Sequence, residues 1–178
     1  MGGSGDVVIG TDAGGGGSSY STASTLGIGG DGVAIGHKSL SRFGGTTIGR
    51  GMTAVGYKTG YGITTNVVAG TFVGYRAGVS VTTGSRNTLI GSQSDVLSGA
   101  DDKAVAVGAE SSTNADSVSV GYNSDATGNY SISIGAEATA SGAGSIAIGS
   151  TNSTSTSTTS SGSGSIAIGH DSTATGSN

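Results

Sequence analysis

The chain contains no cysteine, no proline and no tryptophan. Without cysteine, a disulfide scaffold and a thiolate metal site are both excluded. Leucine, isoleucine, valine and phenylalanine supply about 18% of the 178 residues, a share that on composition alone signals disorder. No stretch approaches the roughly 18 consecutive apolar residues of a membrane-spanning helix. The segment Met1–Asp6 has no basic region followed by an apolar run, so no secretory signal is expected there. What the chain does have is 37 glycines, 31 serines and 23 threonines, about half of all residues.

Order in the sequence overrules that composition. A four-residue motif recurs twelve times: a β-branched or other strand residue, any residue, isoleucine or valine, then glycine. The residues before the glycine are Ile9, Ile28, Ile35, Ile48, Val55, Val73, Ile90, Val107, Val120, Ile134, Ile148 and Ile168. The spacings between the glycines are 19, 7, 13, 7, 18, 17, 17, 13, 14, 14 and 20, a unit of about 14 with half-units of 7 early in the chain. Val-Ser-Val and Ile-Ala-Ile alternate with period 2, so each is a short strand with one inward face. Stretches such as Ser124–Gly128 and Ala138–Gly142 read as weaker second strands with Ala, Ser or Thr inward. Two strands and two tight turns form one coil, and stacked coils pair strand on strand.

The expected fold is therefore all-β, a parallel β-roll of about 12–13 coils with a length of about 60 Å at the usual strand spacing. One domain spans 1–178, with irregular coils over 1–103, regular repeats over 104–178 and a loop insertion at 150–164. Surplus residues in the long units are expected in loops. One coil is too thin to offset the backbone entropy of its own residues. The outward Ile/Val row is therefore expected to meet copies of itself in an obligate homo-oligomer.

The copies Ser117-Val-Ser-Val-Gly121, Ser131-Ile-Ser-Ile-Gly135, Ser145-Ile-Ala-Ile-Gly149 and Ser165-Ile-Ala-Ile-Gly169 resemble the head repeats of trimeric autotransporter adhesins. The resemblance is strongest over 104–178 and weaker over 26–60. It implies a left-handed parallel β-roll, a homotrimer, and the twelve Ile/Val residues named above as the trimer core. The segments Asn66–Gly78 and Thr83–Gly91 are similar to repeats of phage tail fibres and tailspikes. No heptad stalk and no amphipathic anchor strands follow, so the chain reads as a head fragment or a phage-like fibre module.

Charge is segregated along the chain. Residues 1–31 carry three acids and no base, residues 32–94 six bases and no acid, and residues 95–178 eight acids and one base. In a solenoid this becomes a basic band between acidic ends, and five of the eight aromatics (Phe43, Tyr57, Tyr61, Phe72 and Tyr75) lie within it. Rings that stack on sugars and cations that pair with carboxylate or phosphate suit an anionic cell-surface glycan. The candidate binding residues are Lys38, Arg42, Arg50, Tyr57, Lys58, Tyr61, Tyr75, Arg76 and Arg86.

Chemistry is sparse elsewhere. His37 and His170 follow motif glycines about nine coils apart and cannot share a site within one chain. Asp95, Asp101, Asp102 and Glu110 form the one acidic cluster, read as a surface loop or at most a weak divalent-ion site rather than a glycosidase pair. No catalytic residue, metal site or cofactor is expected, and neither nucleic acid nor membrane insertion is a partner. Two readings follow: an adhesive fibre segment at a cell surface or on a virion tail fibre, or a purely structural spacer or filament subunit. Partners are then other copies of the chain, joined as a trimer and by end-to-end or lateral assembly.

Overall fold

The computed structural model describes residues 6–14, 31–41, 50–64, 67–151 and 157–176. Sixteen short strands follow in chain order: β1 (Val7–Ile9), β2 (Val33–Ile35), β3 (Thr53–Val55), β4 (Thr71–Val73), β5 (Thr88–Ile90), β6 (Asp95–Val96), β7 (Val105–Val107) and β8 (Ser112–Thr113). The chain continues with β9 (Val118–Val120), β10 (Asp125–Ala126), β11 (Ile132–Ile134), β12 (Thr139–Ala140), β13 (Ile146–Ile148), β14 (Thr159–Ser160), β15 (Ile166–Ile168) and β16 (Thr173–Ala174). The described residues contain no helix. The three-residue strands form one parallel ten-stranded sheet in the order β1-β2-β3-β4-β5-β7-β9-β11-β13-β15. The two-residue strands form a parallel six-stranded sheet, β16-β14-β12-β10-β8-β6. The fold is an all-β parallel solenoid, as the repeat predicts.

Register is uniform because the motif is. Val118 pairs with Val105 on one side and Ile132 on the other, and Ile134 pairs with Val120 and Ile148. The motif glycines consequently stack on one another. A Cβ on Gly108 would stand 2.1 Å from the carbonyl oxygen of Gly121, with φ at +143°, so no other residue fits that step. Ten motifs, not twelve, form the ladder of described strands. Ile28 and Ile48 lie outside the described residues, and β1 pairs directly with β2 and β2 with β3. Nine steps at the usual ~4.8 Å give a sheet roughly 43 Å long, shorter than expected from the repeat count.

The interior changes character along the axis. Toward the N-terminal end the buried side chains include Leu40, Met52, Ile63, Val67, Phe72, Val81 and Leu89. Toward the C-terminal end they are Ala126, Ala138, Ala140 and Ala147 among Ser119, Ser124, Ser133, Ser145 and Ser160. The change follows coil length except at the 20-residue step from β13 to β15, where the described buried side chains are still Ala, Thr and Ser. Coils of 17 and 18 residues enclose a wider cross-section, which large side chains fill. Coils of 13 and 14 residues close tightly enough that Ala and Ser suffice. This corrects the expectation that surplus residues go into loops: Ile63, Val67 and Val81 are surplus residues buried in the core.

Of the predicted insertion at 150–164, residues 152–156 lie outside the described residues. Within it, β14 pairs with β12 and β16, and Thr158, Ser160 and Gly162 are buried.

Candidate ligand-binding and assembly surfaces

In each three-residue strand the middle side chain points inward and the outer two point away from the core. Ala34, Ala54, Phe72, Leu89, Ala106, Ser119, Ser133 and Ala147 are fully buried. Their flanking residues are half-buried or exposed, from Val7 and Ile9 at one end to Ile166 and Ile168 at the other. The outer face of the ten-stranded sheet thus carries twenty side chains, and all are Ile, Val or Thr. The threonines are Thr53, Thr71 and Thr88, adjacent in one row. Ten of the twelve predicted trimer-core residues lie in the other row, outward on this face: Ile9, Ile35, Val55, Val73, Ile90, Val107, Val120, Ile134, Ile148 and Ile168. The six-stranded sheet turns the opposite chemistry outward: Asp95, Ser112, Asp125, Thr139, Thr159 and Thr173.

Two columns of left-handed turn residues border the apolar face. The first lies two residues after the motif glycine: Asp12, Lys38, Lys58, Arg76, Gln93, Glu110, Asn123, Glu137 and Asp171, with φ between +48° and +59°. Each step costs a non-glycine residue about 1–2 kcal/mol of backbone strain. Hydrogen bonds between coils offset it: the Lys58 amide donates to His37 O at 3.0 Å, Arg76 to Tyr57 O at 2.8 Å and Gln93 to Tyr75 O at 2.8 Å. The second column lies two residues before each strand and includes Asp31, Gly51, Ala69, Arg86, Lys103, Asp116 and Tyr130. It has its own ladder: the amide of Ala69 donates to Arg50 O, Arg86 to Val68 O and Lys103 to Ser85 O.

These columns divide the predicted basic band. Lys38, Lys58 and Arg76 stand in consecutive coils of the first column, beside His37, Tyr57 and Tyr75. Tyr57 and Tyr75 stack with ring centroids 5.3 Å apart, and His37 meets Tyr57 edge-on at 5.5 Å. The Lys58 ammonium lies over the rings of Tyr57 and Tyr61, at 5.3 and 5.5 Å. Arg50 and Arg86 stand at the opposite edge, before β3 and β5. Arg42 lies outside the described residues, as does Phe43. One chain therefore brings together six of the nine predicted residues and leaves two across the strand from them.

Three of the four residues of the acidic cluster, Asp95, Asp101 and Asp102, serve the backbone. Both oxygens of Asp95 accept the Ser80 amide, and one also accepts the amide of Val96. Asp101 accepts the amide of Ser98 at 2.8 Å, and Asp102 that of Ser85. Burial raises the Asp95 carboxyl above its ordinary value, against the pull of these hydrogen bonds and of Arg76. Burial also raises Asp101, and neighbouring Asp102 adds to the effect. Lys103 is raised by its 2.8 Å hydrogen bond and ion pair with Asp116. No group of three or more potential metal ligands occurs among the described residues.

Sequence reasoning missed Asn87, whose fully buried amide bridges two coils. It also missed the left-handed columns, although the constant offset of two residues from each motif glycine marks the first of them.

The YadA head domain repeat matches residues 112–138, 126–152 and 160–178. These segments are similar to YadA head repeats. The 14-residue step between the first two matches is the period of the ladder in this region, and the match supports the resemblance to trimeric autotransporter adhesin heads. No curated protein and no solved structure shows a significant match to the chain.

Proposed function

We propose that the chain is a structural and adhesive segment of a trimeric fibre, one that presents repeated surface loops to a cell surface or host receptor glycan and catalyses no reaction. The observation that carries this reading is the outer face of the ten-stranded sheet: twenty β-branched side chains without a charge among them. Removing the remaining exposure is worth about 1 kcal/mol per side chain, on the order of 20 kcal/mol per chain. That is comparable with the about 4–15 kcal/mol that association costs in rigid-body freedom. YadA head repeats belong to homotrimeric, surface-exposed adhesins, which supports closure of this face around a three-fold axis. No helix of the described residues is long and apolar enough to cross a membrane.

Three copies of the ridge formed by Tyr57, Lys58, Tyr75 and Arg76 would then gain avidity from weak individual sites. The ligand class that fits is an anionic glycan, with ring stacking on the outer face of Tyr75 and charge pairing at Arg76. A specific observation favours the second reading, a spacer without its own ligand: Tyr57 and Tyr75 already stack on each other, and Lys58 already covers two rings. A glycan array separates the two. Binding that disappears in Tyr75→Ala and Arg76→Ala supports adhesion, and a blank array leaves the spacer.

A further inference from the structure

We propose that the anion site is composite, completed at each seam of the trimer by the neighbouring protomer. This rests on the trimeric and ligand-binding readings above. The two turn columns lie at opposite edges of the apolar face. If that face turns toward a three-fold axis, the edge after each strand in one chain faces the edge before the strand in the next. Cyclic symmetry keeps equivalent coils level.

The charges agree with that placement. At the level of β2, Lys38 of the first column faces Asp31 of the second, and at the level of β7, Glu110 faces Lys103. At no level from β2 to β15 do the two columns bring like charges together. Between these two matched levels, the first column holds Lys58 and Arg76 while the second offers the small residues Gly51 and Ala69. The same three levels bring in Arg50 and Arg86 from the neighbouring protomer. The result is a cleft with four cations and the Tyr57–Tyr75 stack on its walls, closed above and below by opposite charges. It fits an extended polyanion with sulfate or carboxylate groups. The same geometry gives a reason for the split of the basic band within one chain: the band is reunited across the seam.

Complementation tests this directly. Homotrimers of Arg76→Ala and of Arg86→Ala are each expected to bind a fluorescent sulfated hexasaccharide about tenfold more weakly or worse, since each loses a charge-assisted contact. The two variants are then unfolded together and refolded. Random mixing leaves one fully intact seam in each mixed trimer, so about a quarter of the binding capacity is expected to return. Trimers that show no recovery would overturn the composite site and leave a site within one chain. Unchanged binding in both homotrimers would overturn the ligand site itself, and a monomeric mass would overturn the trimer.

A second measurement needs no ligand. Because the chain has no cysteine, Lys103→Cys with Glu110→Cys places the only two thiols at opposite ends of β7. Oxidation is expected to give covalent trimers that persist in detergent. Monomeric bands from a sample that is trimeric in solution would overturn the seam.

Discussion

The side chain of Asn87 reaches into the next coil and accepts the amide of Ala104 at 2.9 Å, while its own amide nitrogen donates to Asp101 O at 2.7 Å. Asn87 and Ala104 occupy the same position in consecutive coils, immediately before β5 and β7. The fully buried side chain thus fastens the turn between Asp101 and Ala104 from one coil away. Asn87→Leu would leave that donor and acceptor buried without partners. The expected loss is about 2–4 kcal/mol, since each orphaned group costs roughly 1–3 kcal/mol. Urea unfolding checks it against Ser92→Ala, an exposed change expected to stay within about 0.5 kcal/mol.

Stacked glycines make a second prediction. Gly108 and Gly144 both have positive φ, at +143° and +65°, but an added Cβ meets the Gly121 backbone in the first case and nothing within 4 Å in the second. Gly108→Ala is expected to cost more than about 3 kcal/mol or to prevent folding, because clash and strain combine. Gly144→Ala is expected to cost about 1 kcal/mol, the left-handed penalty alone. Thermal melts of the two variants separate the contributions, and equal losses would mean the ladder spacing is not a constraint.

Asp95 gives the pH dependence. Burial holds its carboxyl above the ordinary range, so the folded chain retains that proton more firmly than the unfolded chain. Its contribution to stability is fully present below the unfolded value of 3.8 and is lost as pH rises through the raised folded value. The parent chain is therefore expected to gain stability relative to Asp95→Asn as pH falls from 7 to about 4. Parallel midpoints for the two proteins across that range would contradict the assignment.

Much of this fold is legible in the sequence because its two signals are local. Alternation in Ser131–Ile134 and the glycine that follows specify a strand and a turn without reference to any other part of the chain. Position along the axis is legible too, since sequence order is axial order in a solenoid. The wide interior is less so. Leu40, Met52, Ile63, Val67 and Val81 lie outside the motif, and only the cross-section of the longer coils tells whether such residues fill a core or a loop. Lys38 and Arg86 show the limit for the candidate site. Both sit in one basic stretch of sequence, yet the offset from the nearest strand sends them to opposite edges of the sheet.

The most direct test of the trimeric fibre is the mass of the intact chain in solution, by light scattering across a dilution series. Three times the 16.7 kDa chain mass is expected, with reversion toward the single-chain value in Val120→Asp, which places a charge on the apolar face. Thr139→Asp, on the polar outer face of the six-stranded sheet, is expected to leave the trimer intact. A parent chain that stays folded at the mass of one copy would contradict the account, because its twenty outward β-branched side chains would then have no partner.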